Sequence, residues 1–419
     1  MSQKKNTIYY GWFIVLAFFL IWIATQGIYQ HSFTAFIEPL ANKFGWNYTQ
    51  VTFAASLRAS LYMLFTPIAG AIIDRWSARK LVFLGIVLVS IGIFLLSRIN
   101  TLGQFYLCFI LVGIGGSTCT MTVPLTVVGR WFRKKLSLAT GIAMSAAGFG
   151  GLVVPLVTHL IDTAGWRAAM SIIGLTLLVA ISPLSLIIRQ NPEQYGYLPD
   201  GDVNDKSVSD TVPNAIKDST EDIGIKQILK SRPFWQISLA FTLLLFTPIG
   251  VQIHAMPYLS TIGVERTTSS FITSALLISG SFGRLLFGWL GDRFDRRRVA
   301  ASGTTLMGIS LLLFIYTTTD TTWLVMPAII FCGIGWGTVV MHPVLLRQYF
   351  NTSKLGFIIG FSIGITMIAF IVSPPLISWI FEMFGNYRVS WFVLIGIVII
   401  SVIGQLTNPS SNITMRKIS

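Results

Sequence analysis

Long apolar runs separated by short polar connections dominate the pattern of this 419-residue chain. A run of about 20 apolar residues can cross the hydrocarbon core of a bilayer as a helix, which satisfies its own backbone hydrogen bonds. The pattern therefore predicts an all-α membrane protein with twelve transmembrane helices. We place the spans at 10–37, 49–73, 80–98, 103–128, 136–160, 167–188, 233–259, 268–291, 299–317, 322–346, 355–380 and 388–406.

The composition agrees with this prediction. Hydrophobic residues make up 53% of the chain and charged residues only 11%, whereas soluble domains carry roughly 25% charged residues. The formal net charge of +14 could suggest nucleic acid, but the basic residues form short clusters between apolar runs. We therefore expect the lipid bilayer, and not nucleic acid, as the partner of these charges.

The lysine and arginine residues predict the orientation. If the N-terminus is cytoplasmic, the segments on that side hold 23 of the 30 basic residues, and the opposite segments hold five. The remaining two, Arg58 and Arg284, lie inside predicted spans. Because basic loops stay in the cytoplasm, we expect both termini inside, in the plasma membrane or a bacterial inner membrane. The first apolar run is too long for a signal peptide and is interpreted as a retained helix.

The only long polar segment of the sequence, about 189–232, separates six predicted spans from six. Its Pro, Gly, Asp and Ser content is typical of a mobile linker. The stretch IGIKQILK just before the seventh span has the pattern of a short amphipathic helix. We therefore expect an N-terminal half at 1–188, a cytoplasmic linker at 189–232 and a C-terminal half at 233–419.

An internal repeat supports this division. One motif, GAIIDRWSARK, returns 218 residues later as GWLGDRFDRRR. The shared positions are Gly70, Asp74, Arg75 and Arg79 in the first copy and Gly288, Asp292, Arg293 and Arg297 in the second. Two six-helix halves in parallel repeat predict a pseudo-two-fold axis along the membrane normal, with a binding site between the halves near the midplane.

These duplicated residues resemble the signature of the major facilitator superfamily, which lies between helices 2 and 3 and again between helices 8 and 9. The resemblance implies that Asp74 and Asp292 lock neighbouring helices at the inner surface in one state of the cycle; the alternative is simple helix termination. A narrower stretch, WFRKKLSLATGIAMSAAG (Trp131–Gly148), resembles the helix-5 signature of monocarboxylate transporters. The opening YYGW and the later NPEQYGYLPDG resemble the same family and its bacterial oxalate/formate-carrier relatives.

Arg284 is the candidate for substrate binding. It lies eight residues before Asp292, so about 12 Å inside the cytoplasmic end of its helix by helix rise. No acidic residue of its own span can neutralise it, and a charge within the membrane is costly. We therefore expect the guanidinium to pair with a substrate carboxylate, a role that the resemblance also implies. The alternative is an ion pair with another helix.

Two positions depart from the monocarboxylate transporter pattern. Gly280 stands where that family commonly has an Asp one turn before the arginine, and Gln30 aligns with a Lys of the animal members. Those groups are tied to proton coupling, so we consider His342 and His31 as proton carriers, and His254 less so. Oxalate carriers place a Lys in helix 11, which this chain lacks. One central cation favours a monoanion.

Other polar residues in the spans have two interpretations each. Arg58 is either a second anion contact or a residue that pairs with Glu38 or reaches outward to the interface. Thr120 and Thr122 either bind a polar substrate group or bond back to their own helix. Trp336 either forms a wall of the site or packs in the core.

These residues predict a secondary transporter that moves small monocarboxylates, such as lactate or pyruvate, with protons by alternating access, as a monomer. An exchanger for dicarboxylates or oxalate/formate-like anions is the alternative. A sensor without transport is a third possibility, against which the motifs in both halves argue. We see no nucleotide-binding motif or catalytic triad, so we expect no cofactor and no enzyme activity. The three cysteines lack metal-type spacing, and we expect them to pack in the core.

Overall fold

The computed structural model describes residues 9–32, 40, 43–46, 48–201, 225–350 and 354–407. Within these ranges the chain forms twelve helices that are long and apolar enough to cross a membrane, and no strand. We number them in chain order as α1 (Tyr10–His31), α2 (Tyr48–Ile73), α3 (Ala78–Leu96), α4 (Leu102–Trp131), α5 (Leu136–Ala164), α6 (Trp166–Ile187), α7 (Arg232–Thr261), α8 (Arg266–Arg293), α9 (Arg296–Tyr316), α10 (Thr322–Tyr349), α11 (Leu355–Phe384) and α12 (Arg388–Leu406).

The predicted fold class is confirmed. Each predicted span corresponds to one helix, and the bounds agree to within about four residues at each end, the ordinary uncertainty of helix ends. The first span was expected to continue to residue 37; its helix ends at His31, and residues 33–37 lie outside the described ranges. The short helix predicted before α7 is present at Ile225–Lys230.

Six of the described helices depart from regular α geometry, among them α6, which ends in the π turn Leu177–Ile181 and the 3₁₀ turn Ser182–Ile187, and α11, which is interrupted at Met367. A π turn, Gly27–His31, ends α1, and α4 is interrupted at Thr120 and Met121. The 3₁₀ turns Gly150–Val153 and Gly337–Val340 interrupt α5 and α10. Irregular backbone at membrane depth is tolerated where it is buried in protein or lines a cavity. The irregular turns of α1, α4, α5 and α10 are therefore compatible with a binding site in the middle of the bundle.

Two clusters of buried apolar side chains follow the two halves of the sequence. The first cluster draws mainly on α1–α6 and includes Phe18 and Trp131. The second draws mainly on α7–α12 and includes Phe241 and Trp391. Because each half has its own core, the halves can move relative to each other without opening either core.

The halves meet along α5 and α8, where small residues allow close backbone contact. A methyl group at Gly141 would lie 2.4 Å from the carbonyl oxygen of Arg284, and one at Gly288 would lie 2.7 Å from that of Ser137. One turn further into the membrane, the Ser281 hydroxyl donates a hydrogen bond to the carbonyl of Ser145 at 3.0 Å. Only small residues permit this approach of two helices within a membrane.

The same arrangement joins α2 to α11. A methyl group at Gly70 would lie 2.2 Å from the carbonyl oxygen of Gly356, and one at Gly360 would lie 2.6 Å from that of Thr66. Both interfaces lie toward the end of the bundle that carries the arginine-rich connections, which we call the basic face. By the distribution of charge this face is expected to be cytoplasmic.

Toward the opposite face the described parts of α5 and α8 expose large apolar side chains. Leu156 of α5 is 70% exposed, and Phe271 of α8 is 71% exposed. The cross-half contacts described above all lie between the basic face and mid-membrane depth. We infer from these contacts that the structure is closed at the basic face.

Part of the predicted linker is held against the N-terminal half. The backbone N–H groups of Arg133 and Lys134 donate to the carboxylate of Asp200 at 2.9 and 2.7 Å. The guanidinium of Arg189 lies between the rings of Tyr10 and Tyr195, 4.0 and 4.2 Å from their centroids. The composition suggested a mobile linker, but residues 189–201 pack against the basic face through these contacts.

The Gly141 contact generates a prediction about closure. In Gly141→Ala the added methyl group overlaps the Arg284 carbonyl, so closure at the basic face should weaken by about 1–3 kcal/mol, the usual cost of overpacking. Spin labels on Arg133→Cys and Arg298→Cys should then report a larger share of long distances.

Gly151→Ala is the matched control, because a methyl group there meets no atom within 4 Å. An unchanged distance distribution in Gly141→Ala would show that this contact does not limit closure.

Candidate functional site

Arg284 lies in the middle of α8, next to the closed interface. It is 6% exposed, and its Nε has no hydrogen-bond partner. The guanidinium lies over the ring of Trp336 of α10, with Cζ 5.2 Å from the ring centroid. Trp336 thus contacts this charge and also belongs to the buried core of the C-terminal half, so its role as a wall of the site stays a prediction. A cation–π contact stabilises a desolvated arginine by about 2 kcal/mol, which does not replace a counter-ion.

No carboxylate neutralises Arg284 in the part of the chain that the structure describes. The ion pairs found there are Asp74–Arg130 and Asp295–Arg297, and no acidic group acts on Arg284. A methyl group at Gly280 would lie 3.6 Å from Nη1 of Arg284, so an Asp at that position would reach the guanidinium. The glycine leaves the charge available for an external anion.

The N-terminal half contributes a second arginine. Arg58 of α2 donates a hydrogen bond from Nη2 to the Gln30 side chain of α1, and its Cζ lies 5.0 Å from the ring centroid of Tyr29. Its Nε is buried and has no hydrogen-bond partner. The predicted alternative partner Glu38 lies outside the described residues. The Arg58 guanidinium is therefore held by two side chains of α1, and part of its hydrogen-bonding capacity is not used.

Tyr62 and Tyr29 complete this cluster, and neither was predicted from the sequence as a site residue. The Tyr62 hydroxyl of α2 lies 3.0 Å from Oγ1 of Thr120, and the Tyr29 hydroxyl lies beside Gly116 of α4. Tyr62 follows Arg58 by one helical turn. The spacing between Arg58 and Tyr62 can be read from the sequence, but a single tyrosine in a membrane span does not by itself indicate a binding site.

The two predicted threonines of α4 behave differently. Thr120 donates to the carbonyl of Gly116 at 2.7 Å, so it bonds back to its own helix while also contacting Tyr62. Thr122 is fully buried, and its hydroxyl has no hydrogen-bond partner. The Thr122 methyl group faces Gly360 of α11 across the closed interface.

His31 of α1 contacts α5. Its Nε2 lies 2.9 Å from the carbonyl oxygen of Ala147. The charges of Arg284 and Arg58 both act electrostatically on its ring.

His342 has a different environment. It is 3% exposed, its Nε2 lies 2.7 Å from the Ser362 hydroxyl, and its ring stacks on Phe241 with centroids 5.0 Å apart. Ser362 in turn contacts the Ser238 hydroxyl at 2.6 Å. His342 therefore packs among α7, α10 and α11 inside the C-terminal half. His254 contacts the carbonyl oxygen of Pro374 at 3.1 Å, also within that half.

The duplicated motif forms a latch between the halves. The carboxylate of Asp74 accepts hydrogen bonds from the backbone N–H groups of Gly356 and Phe357, both at 3.0 Å, at the start of α11. Arg130 donates to the same carboxylate at 3.0 Å. Burial raises the pKa of Asp74 above its ordinary value, and these donors only partly offset it.

Asp292 makes the equivalent contact in the second half. It accepts hydrogen bonds from the backbone N–H groups of Ser137 and Leu138 at 2.8 and 2.9 Å, at the start of α5. Each carboxylate thus caps a helix N-terminus of the other half, where the unpaired N–H groups and the helix dipole favour negative charge.

The basic residues of the motif lie at the same face. Arg79 donates to the carbonyl of Ile188 at 3.3 Å, and Arg297 pairs with Asp295 at 2.9 Å. The hydrogen bond from Arg297 lowers the pKa of Asp295 below its ordinary value. Arg75 and Arg293 are exposed. No group of three or more His, Cys, Asp or Glu side chains suited to a metal occurs among the described residues.

Comparisons with known proteins agree with this architecture. The model of the Major Facilitator Superfamily matches residues 8–266 and 242–411. Monocarboxylate transporter 12 of Xenopus laevis is 26% identical over 411 residues, covering 94% of this chain and 89% of that protein. Monocarboxylate transporter 13 of Rattus norvegicus is 25% identical, covering 95% and 88%.

Among solved structures, the proton:xylose symporter XylE bound to 6-bromo-6-deoxy-D-glucose superimposes with a TM-score of 0.76. The match covers 96% of each chain at 15% sequence identity. At this identity the likeness supports the twelve-helix fold alone.

The latch generates a prediction about the closed state. Asp292→Asn removes the charge that accepts two backbone N–H groups, and hydrogen bonds to charged groups contribute about 1.5–3 kcal/mol. We expect a shift toward opening at the basic face, seen as longer distances between spin labels on Arg133→Cys and Arg298→Cys.

Asp295→Asn serves as the control, because Asp295 bonds only within its own half at Arg297 and Arg298. Adding Asp74→Asn should increase the shift roughly additively, since the two latches join different helix pairs. If the Asp292→Asn protein stays closed, Asp292 only ends its helix and does not hold the two halves together.

Proposed function

We propose that this chain, which belongs to the major facilitator superfamily, carries small monocarboxylates across the membrane together with protons. It is a multi-pass membrane transporter related to the monocarboxylate transporters, and not an enzyme. The observation that carries the proposal is Arg284, a buried arginine with no carboxylate partner among the described residues.

A buried guanidinium favours an anionic ligand of matching shape. A carboxylate accepts two parallel hydrogen bonds from it, a geometry that an ammonium cannot provide. The anion neutralises Arg284 in a region of low dielectric, where pairing is strong. Small organic carboxylates fit this requirement, and the names of the relatives above point to the same class.

The rest of such a substrate would face the cluster of the N-terminal half. Tyr62 and Thr120 offer hydroxyl groups, and Gln30 offers an exposed amide. A 2-hydroxy or 2-oxo group can exchange hydrogen bonds with these side chains. Trp336, which contacts Arg284, would cover the apolar face of the substrate.

The proton is assigned to His31 in this proposal. An anion that enters a negative interior is opposed by about 2.3 kcal/mol per charge per 100 mV. A proton bound in the same step makes the transported charge zero. His31 lies in range of both arginines, so an anion that neutralises them makes protonation of His31 easier. His342, bonded to Ser362 inside the C-terminal half, is the second choice.

The cycle follows from the latches and the close-packed interfaces. The loaded carrier would release Asp74 and Asp292 from the opposite helix ends, open at the basic face and discharge its substrate there. We further propose that the basic face is cytoplasmic, in the plasma or bacterial inner membrane, with both termini on that side. The rocking bodies would be 1–188 and 233–419, joined by 189–232, and the monomer would be the working unit.

Exchange of dicarboxylates or oxalate-like anions is the second candidate. The observation favouring it is Arg58, a second cation whose Nε has no hydrogen-bond partner. A dianion could bridge Arg58 and Arg284. The carrier would then need to bind an anion on the other side before it could return. Proteoliposomes loaded with unlabelled dicarboxylate decide between the two. Uptake that needs this internal anion and ignores a pH gradient identifies an exchanger.

Arg284→Lys tests the substrate contact. The ammonium keeps the charge but cannot make two parallel hydrogen bonds, and loss of one bond to a charged group costs about 1.5 kcal/mol. Uptake of labelled lactate or pyruvate into proteoliposomes should fall at least about tenfold. Arg388→Lys, an exposed arginine of the opposite face, should leave uptake unchanged. Wild-type uptake by Arg284→Lys would make Arg284 structural.

His31→Gln tests the coupling. In the wild type, an acidic outside should accelerate uptake while an imposed membrane potential has little effect, because the net charge moved is zero. In His31→Gln the pH gradient should lose its effect while anion exchange persists. His254→Gln is the matched control, since His254 bonds to Pro374 away from the arginines. Symport that survives both His31→Gln and His342→Gln would place the proton elsewhere, such as on the substrate carboxylate.

A further inference from the structure

The segment that follows α6 joins the ends of several N-terminal helices at the basic face. We call residues 188–200 the strap. The Tyr9 hydroxyl, just before α1, lies 2.9 Å from the carbonyl oxygen of Trp131 and 3.1 Å from that of Leu198. The Trp131 indole N–H donates to the carbonyl of Arg189 at 2.8 Å. The strap is thus fixed to the start of α1 and to the end of α4.

The first part of the strap holds the connection between α2 and α3. The Gln190 side chain donates from Nε2 to the carbonyl of Ile73 at 3.0 Å, and its Oε1 accepts from the backbone N–H of Ala78 at 3.3 Å. Ile73 directly precedes the latch residue Asp74 in the chain. Gln190 therefore bonds to both ends of the connection that carries this latch carboxylate.

The last residue of the strap holds the connection between α4 and α5. The Asp200 carboxylate accepts hydrogen bonds from the three successive backbone N–H groups of residues 133–135, at 2.9, 2.7 and 3.3 Å in chain order. Successive N–H groups that converge in this way form a concave site for an anionic oxygen. Shortly after them, the N–H groups of residues 137–138 donate to Asp292 of the other half. Asp200 and Asp292 therefore bind neighbouring parts of the same helix start.

Asp200 has an uncommon backbone conformation. Its φ of 61° lies in the left-handed region, and no other non-glycine residue among the described ones has a positive φ. This conformation costs free energy for a residue with a side chain, although Asp and Asn tolerate it better than most. It persists where surrounding contacts hold it in place. The three hydrogen bonds from residues 133–135 are contacts of this kind.

The strap thus lies beside the N-terminal-half component of both latches. One latch joins Asp74 to the start of α11, and Gln190 bonds to the residue before Asp74. The other joins the start of α5 to Asp292, and Asp200 bonds just before the N–H groups that this latch uses. The bonds of Gln190 and Asp200 described above all lie within the N-terminal half, so they do not require the halves to be closed.

We propose that Gln190 and Asp200 are positioning residues for closure at the basic face. Gln190 fixes the connection that carries Asp74, and Asp200 fixes the start of α5, to which Asp292 binds. Because these parts are already ordered, less conformational entropy is lost when each latch forms. The proposal rests on the proposed transport cycle, in which the basic face opens and closes, but it does not depend on which substrate is carried.

Spin labels on Lys80→Cys and Arg298→Cys, exposed residues of the two halves, would report closure in the absence of substrate. Asp200→Gly removes the carboxylate at a backbone conformation that glycine adopts freely. The ratio of open to closed molecules should rise about tenfold, because hydrogen bonds to a charged group are lost. Asp200→Asn keeps one oxygen acceptor and should show a smaller rise. Asp162→Asn, an exposed acid at the far end of α5, is the control and should leave the distances unchanged.

Combination with the latch variants identifies the latch through which each residue acts. Gln190→Ala removes two bonds between neutral groups and should raise the open share roughly fivefold. Changes that act through one contact are not additive, whereas independent changes add. Asp200→Gly should therefore add little in an Asp292→Asn protein and should keep its full effect in an Asp74→Asn protein. Gln190→Ala should show the reverse pattern.

The melting temperature separates positioning from overall stability. Variants that melt earlier but keep the wild-type ratio of open to closed molecules would make Gln190 and Asp200 structural residues only and would overturn the proposal. An equal effect of Asp200→Gly in the Asp292→Asn and Asp74→Asn proteins would overturn it as well. A wild type that carries neither lactate nor pyruvate would contradict the proposed function alone, because the distances are measured without substrate.

Discussion

The contact of Gly141 with the backbone of Arg284 links closure at the basic face to the position of a buried charge. Closure at the basic face brings α5 against α8 through glycines, and the carbonyl of Arg284 is part of that contact surface. The side chain of the same residue is the unpaired cation of the bundle middle. The position of this charge, the proposed substrate contact, is therefore set by the interface that closes the basic face. A residue larger than glycine on either helix would separate the charge from its closed position.

Inside the bundle the dielectric constant is low, so the stability of each buried charge depends strongly on its hydrogen-bond and ionic partners. Asp74 and Asp292 accept hydrogen bonds from backbone N–H groups of the other half, and these bonds exist only while the halves are closed, although Asp74 also pairs with Arg130 of its own half. Arg284 has no acidic partner among the described residues, whereas Arg58 is partly satisfied by Gln30. In the proposed function the C-terminal half would therefore supply the main anion contact, and the N-terminal half would supply hydroxyl and amide groups. This asymmetry suits a small substrate with one charged end and one polar end.

The two halves share a plan but have diverged at their basic ends. In the first half, residues 188–191 bond to the α2–α3 connection and to the end of α4. In the second, the α8–α9 connection borders a cavity with arginines in its lining. Ala78 on one side corresponds to Arg296 on the other, whereas Arg130 corresponds to Gln348, so the two ends carry the same number of arginines at different positions.

The sequence by itself determined the twelve helices, the repeated halves and the presence of an arginine inside an apolar run, eight residues from the acid at the end of its helix. These follow from local pattern, because membrane helices satisfy their backbone within each segment and a charge inside an apolar run is conspicuous. Partners across helices could not be predicted, because they depend on how helices rotate and pack. Only the tertiary structure decided that Arg58 meets Gln30, that Tyr62 meets Thr120, and that His31 contacts the Ala147 carbonyl while His342 packs against Ser362. It also decided that residues 189–201 lie against the basic face, since their contacts join groups far apart in the chain.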